Sequence, residues 1–167
     1  MPGSGFEDLR DKTEKHLDVS DLTMLVLKGH LLVESTLYGA IEKQLHNPEY
    51  LTKARLRFPQ LIQLARAIFP QESDKRRAEI SKNYWDCLEA LNTLRNKFAH
   101  KLEPAELSAL LARLHVRNAN SDNPLNDKTV ADDFTITVTM LIGYTAGMGD
   151  LHAKRQIPEV EQAATGA

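Results

Sequence analysis

Apolar residues recur three and four positions apart along most of this 167-residue chain, which is the spacing of an amphipathic α-helix. The longest such segment covers residues 21–45, where Asp18 or Ser20 can cap the amino terminus and Asn47-Pro48 ends the pattern. Its apolar positions form a broad stripe, which suits a helix at the centre of a bundle. Together the periodic segments predict helices over residues 21–45, 58–69, 75–99, 104–115 and 130–153.

The segments outside this pattern complete the predicted organisation. The β-branched run 135–139 also fits a strand, but a single strand would have no partner elsewhere in the chain, so we predict helix there. Residues 117–128 are rich in Asn, Asp, Ser and Pro, which indicates a loop. We expect a flexible lead-in or a short helix over residues 1–17, one domain over 18–155 and a disordered tail over 156–167. The predicted fold is an all-α bundle of four to five helices with antiparallel neighbours.

The composition agrees with a globular chain, since 42% of the residues are hydrophobic and 26% are charged. A single cysteine, Cys87, excludes an internal disulfide and a zinc site built from several cysteines. No run approaches the ~18 consecutive apolar residues of a membrane span, and residues 1–15 contain no apolar signal segment. These observations predict a cytoplasmic protein with no membrane contact.

The net charge of −2 conceals an uneven distribution. Residues 51–101 contain eleven Lys and Arg against five Asp and Glu, a balance of +6. The remaining residues contain ten against eighteen, a balance of −8. A basic segment of this size fits an anionic partner such as RNA, although a solvated helix surface has the same composition.

The basic segment contains the sequence R-N-K-F-A-H at positions 95–100, where the helix predicted over 75–99 ends. The guanidinium of Arg95 offers a fixed fork of donors to phosphate oxygens, and His100 can exchange a proton near neutral pH. Lys97 and Lys101 add positive charge beside them. Basic residues are also favoured at helix carboxyl termini, where they complement the helix dipole. The residues alone therefore leave both a catalytic pair and a helix terminus open.

Helical geometry sets a condition on the catalytic interpretation. Residues five apart are separated by ~140° around the helix axis, so Arg95 and His100 converge only if the helix end is distorted or two chains meet. Asn96 and His100 are four apart and share a face. A ribonuclease without a metal or a cofactor needs a base for the ribose 2′-OH, an acid for the leaving 5′-oxygen and a cation near the phosphate. One Arg and one His from each of two chains would supply these groups.

The motif resembles the signature of the HEPN superfamily, in which an Arg is followed by four to six residues and then a His. In this chain the interval is four residues, and Asn directly after the Arg is the commonest form in that superfamily. The preceding sequence L-N-T-L at positions 91–94 is also similar to many members. The resemblance covers roughly residues 20–115, and the branch that it resembles most includes the mannitol operon repressor family.

The resemblance implies a helical bundle that forms a homodimer and acts on RNA as a metal-independent endoribonuclease, either as a toxin or in antiphage defence. An antitoxin or a regulatory protein would be a further partner. In this function Arg95 would clamp the phosphate, His100 would transfer protons and Asn96 would support both. The alternative is a non-catalytic helical transcriptional regulator or adaptor of the mannitol operon repressor type.

Residues outside the motif are candidates for supporting roles. HEPN helices often present a polar or acidic residue towards the cleft, and Glu34 is our candidate because it lies in an otherwise apolar helix. Glu34 is alternatively an exposed surface residue. Lys97 and Lys101 are the other supporting candidates. His30 lies four residues before Glu34, but no third metal ligand is indicated, so we interpret His30 as structural and predict no metal site.

Overall fold

The computed structural model describes residues 4–17, 22–69, 74–98, 114 and 127–164. Within these ranges every regular element is a helix, which confirms the predicted all-α bundle. Helix α2 lies at the centre of the bundle and contacts α1, α4, α5 and α6. The helices in the described ranges are α1 (Ser4–Leu17), α2 (Leu22–Glu42), α3 (Glu49–Ala54), α4 (Phe58–Ile68), α5 (Lys75–Phe98) and α6 (Asp127–Ala164).

The two helices before the motif agree closely with the sequence pattern. Helix α4 ends one residue before its predicted bound, and α5 begins at Lys75 as predicted and is described to Phe98. The helix predicted over 104–115 and most of the loop predicted over 117–128 lie outside the described residues. In the helix predicted over 104–115 only Leu114 is described, and it is helical and buried. Residues 127 and 128 of the predicted loop belong to α6.

The β-branched run 135–139 is helical, as predicted, and its threonines explain how. Each threonine hydroxyl donates a hydrogen bond to the carbonyl four residues earlier: Thr135 to Ala131, Thr137 to Asp133, and Thr139 to Thr135, at 2.8–2.9 Å. These bonds satisfy polar groups that α6 carries into the core, where Thr139 is 1% exposed.

The two ends of the chain are helical where they are described. Of the two alternatives predicted for residues 1–17, the structure shows the short helix: residues 4–17 form α1, which contacts α2 and α6. Leu9, Thr13 and Leu17 are spaced four residues apart and lie on one face of α1. This face packs against the core. At the other end α6 runs to Ala164, into the predicted tail 156–167, because residues 151–164 are mostly good helix formers around a single proline.

Two features of the helices that depend on tertiary packing differ from the sequence prediction. The short helix α3 was not predicted, and α2 ends at Glu42, three residues before its predicted bound. Ile80, near the start of α5, is 47% exposed. No side chain between residues 74 and 83 is buried, so these first turns of α5 extend past the packed part of the bundle.

Helices α2 and α6 approach each other closely through glycines. A Cβ built on Gly29 of α2 would lie 2.7 Å from the Phe134 ring and 3.0 Å from Val138 of α6. Further along both helices, a Cβ on Gly149 would lie 3.2 Å from the Cβ of Ala40. From the first contact to the second, the residue numbers increase along both helices, so α2 and α6 run parallel to each other.

Helix α5 is held against α6 by a buried polar contact. The hydroxyls of Tyr84 and Thr145 lie 2.6 Å apart, and Thr145 also donates to the carbonyl of Leu141. Burial raises the pKa of Tyr84 well above its usual value, so its phenol stays protonated. The contact fixes the position of α5, and therefore of the motif at its carboxyl end.

Candidate functional site

The carboxyl end of α5 presents the first two residues of the motif to solvent. Leu91 and Leu94 are fully buried, so the next residues, Arg95 and Asn96, lie on the outer side of the helix. Nη1 of Arg95 donates a hydrogen bond to Oδ1 of Asn96 at 3.0 Å. This bond orients one edge of the guanidinium and leaves its other donors available to an anion.

The central helix α2 contributes an acidic and an imidazole side chain near this end of α5. Nδ1 of His30 lies 3.7 Å from Oε2 of Glu34. His30 is 5% exposed and packs edge-on against the Phe58 ring with 4.5 Å between the ring centroids, whereas Glu34 is half-buried. Both residues therefore occupy the border between the core and the surface at Arg95.

The charge of Arg95 reaches both of these side chains. The pKa of His30 is lowered from 6.5 to about 4, chiefly by burial and also by the positive charge of Arg95, while a hydrogen bond with the Asn92 side chain opposes both. Burial raises the pKa of Glu34, and the same Arg95 charge partly offsets this rise. At neutral pH the cluster thus holds a neutral imidazole, a carboxyl group and a guanidinium, which we call the Arg95 cluster (His30, Glu34, Asn92, Arg95 and Asn96).

Protonation of His30 is expected to make stability depend on pH. Since burial lowers its pKa, the unfolded chain binds more protons between pH 6.5 and about 4, so the free energy of unfolding rises with pH in that window. From pH 7 to pH 5 the wild type should lose about 1 to 2 kcal/mol more than a His30→Gln variant. Urea unfolding of both proteins at the two pH values measures this difference.

Glu34 opposes this effect, because its raised pKa adds stability as the pH falls, but it is present in both proteins. Equal losses in the wild type and in His30→Gln would contradict the burial of a neutral His30.

The remaining predicted site residues fall partly outside the described chain. Lys97 is half-buried on α5. His100 and Lys101 lie outside the described residues, so the approach of His100 to Arg95 stays a prediction. Glu34, chosen from sequence, does lie within the electrostatic range of Arg95.

The sequence interpretation missed His30 as a member of this cluster. Its position in an apolar helix, four residues before Glu34, was the available signal. We interpreted His30 as structural, and its burial against the Phe58 ring agrees with that interpretation. In the described part of the chain no three His, Cys, Asp or Glu side chains come together in a way that could hold a metal ion. Tyr84, Trp85 and Cys87, on the helix that carries the motif, are all buried.

Comparisons of the chain with protein-family models, with curated proteins and with solved structures found no match. No helix in the described ranges is long and apolar enough to cross a membrane.

Proposed function

We propose that this protein is a metal-independent endoribonuclease of the HEPN type, in which Arg95 and His100 act on the phosphodiester. The observation that carries the proposal is the exposed guanidinium of Arg95, which Asn96 orients at the end of α5. An oriented arginine with free donors is suited to bind two phosphate oxygens at once. Four residues separate Arg95 from His100, which is an interval found in the superfamily that the sequence resembles.

Within the Arg95 cluster, the positive charge of Arg95 is available to a ligand. Arg95 makes no ion pair shorter than 4 Å with a described carboxylate, although Glu34 is near enough for the two charges to interact. A carboxylate at this separation can orient the guanidinium without neutralising it. A phosphate that enters therefore meets positive charge beside an uncharged His30.

The proposed reaction is an internal transfer at phosphorus. The ribose 2′-oxygen forms a bond to phosphorus, the bond from phosphorus to the 5′-oxygen breaks, and the products carry a 2′,3′-cyclic phosphate and a 5′-hydroxyl. One imidazole accepts the 2′-OH proton while a second, protonated imidazole donates a proton to the 5′-oxygen. Arg95 stabilises the charge on the non-bridging oxygens.

Each chain contributes one His100, so two imidazoles require two chains. The proposed active unit is a homodimer in which the carboxyl ends of the two α5 helices meet. The biological role in this proposal is that of a toxin or an antiphage effector, with an antitoxin or a regulatory protein as its partner.

The proposal is tested with purified wild-type protein and a His100→Ala variant, each incubated with single-stranded RNA in excess EDTA. We expect the wild type to cleave and His100→Ala to lose cleavage, with the same elution volume in size-exclusion chromatography. A dimer that cleaves equally well without His100 would contradict the assignment. If neither protein cleaves and the wild type binds DNA with sequence specificity, the regulator function replaces the proposal.

A further inference from the structure

Helix α3 and its connection to α4 carry a group of exposed side chains that no proposed catalytic step uses. We call this group the α3–α4 strip, and it consists of Tyr50, Lys53, Arg55 and Arg57. All four side chains are exposed, and none of the three cations forms an ion pair with a described residue. The only acidic residue in this segment is Glu49, which begins α3. Nζ of Lys53 lies 4.8 Å from the centre of the Tyr50 ring.

The backbone beneath these side chains is fixed to the bundle on both sides. Leu51 is 5% exposed and Phe58 is 3% exposed, so the segment is anchored before and after its cations. The hydroxyls of Thr52 and Tyr38 lie 2.6 Å apart, which connects α3 to α2. The backbone N–H of Arg57 donates to Oε1 of Gln60 at 2.8 Å. The strip is therefore presented on a defined backbone.

Arg55 has an unusual backbone conformation. Its φ of 49° and ψ of 44° lie in the left-handed region, and it is the one non-glycine residue with positive φ among those described. Glycine adopts this conformation without steric cost and is the usual residue where a helix ends in this way. Glycine can therefore replace Arg55 without adding backbone strain.

The strip lies next to the Arg95 cluster. Arg57 directly precedes Phe58, whose ring contacts His30 of the cluster. Arg66 near the end of α4 pairs with Glu89 of α5 at 2.9 Å. Phe58 at the start of α4 contacts His30, which interacts with Asn92 and Arg95 nearer the end of α5, so α4 and α5 run antiparallel. The start of α4 is therefore at the end of α5 that carries Arg95.

We propose that the α3–α4 strip binds the backbone of single-stranded RNA next to the scissile phosphate, an inference that rests on the ribonuclease function proposed above. Arg55 and Arg57 contact phosphates, and the exposed ring of Tyr50 stacks on a base. Cations along a groove together with an aromatic platform are the features by which proteins bind single strands without sequence preference. The strip thus extends the cleavage site into a substrate-binding surface.

The test uses the full chain with His100→Ala, so that RNA stays intact, and measures binding of fluorescein-labelled oligouridylate by anisotropy. Adding Arg55→Gly and Arg57→Ser should weaken binding on the order of 10-fold. The slope of log Kd against log salt should fall by about 0.7 for each cation removed. A matched control removes two cations, Lys75→Ser and Arg76→Ser, at the other end of α5, about 30 Å from Arg95. It should leave the Kd and the slope nearly unchanged.

Arg55→Gly alone separates binding from folding, because glycine relieves the left-handed backbone. Its melting temperature should not fall while its affinity for RNA does. Equal losses in the strip and control variants, or unchanged binding in both, would overturn the proposal. Equally effective competition by polyglutamate would indicate a surface for an acidic protein and would also overturn it.

Cleavage by the wild type is scored separately. If the wild type does not cleave RNA but strip variants lose binding, the ribonuclease proposal fails and the strip is a binding surface on its own. If the wild type cleaves and the strip variants bind normally, only the strip proposal fails.

Discussion

Replacement of Arg95 by Ala is expected to slow RNA cleavage by about 100-fold or more. In the proposed reaction the guanidinium binds the oxygens on which charge develops, and loss of one such donor typically costs this much. Because Arg95 is exposed and its described hydrogen bond is to its neighbour Asn96, the free energy of unfolding should stay within about 0.5 kcal/mol of the wild type. The measurement is kcat/KM on a single-stranded RNA, together with urea unfolding.

Arg95→Lys is the matched variant for this prediction. It keeps the charge but loses the planar fork that binds two oxygens, so its activity should lie between those of the wild type and Arg95→Ala. Arg76→Ala, at the far end of α5, controls for the loss of one positive charge. Wild-type activity in Arg95→Ala, or an equal loss in Arg76→Ala, would mean that Arg95 has no specific role.

A single methyl group at Gly29 is expected to destabilise the bundle by about 2 to 3 kcal/mol. In Gly29→Ala the new Cβ would lie 2.7 Å from Cε1 of Phe134, a distance at which something must move. Phe134 is 2% exposed and has little room to turn, so α2 and α6 must separate. The measurement is the urea-unfolding free energy.

The same substitution at Gly39 is the control for this prediction. Gly39 is also in α2, and a Cβ there meets nothing within 4 Å. Gly39→Ala should therefore stabilise the protein by up to about 1 kcal/mol, the difference in helix propensity. If Gly29→Ala stabilises the protein as Gly39→Ala does, the close approach of α2 and α6 does not limit packing.

The periodicity of apolar residues was sufficient to predict the helices whose burial is one-sided. It correctly identified α4, α5 and most of α2, because their inward positions recur at helical spacing. It could not identify α3, whose six residues are shorter than two helical turns and are held by Leu51 and by the contact of Thr52 with Tyr38. Nor could it predict that α1 packs on the bundle, since this depends on a surface formed by α2 and α6.

The site was predictable where local sequence determines geometry. Arg95 follows a buried Leu94, so its exposed position at the end of α5 could be read from the pattern. The position of Glu34 near Arg95 followed from the resemblance to the superfamily. The spacing of His30 four residues before Glu34 was a local signal for it. The position of the α3–α4 strip could not be found in this way, because it depends on the contact of His30 with Phe58, which lies 28 residues further along the chain.

The most direct test of the central claim is the chemistry of the product ends. Wild-type protein in EDTA is incubated with an RNA that it cleaves, and with the same RNA carrying a 2′-deoxy sugar at the cleavage position. Attack by the 2′-OH predicts a 2′,3′-cyclic phosphate and a 5′-hydroxyl on the first substrate, and no cleavage of the second at that position. Cleavage that requires added Mg²⁺, leaves a 5′-phosphate or tolerates the 2′-deoxy sugar would contradict the account.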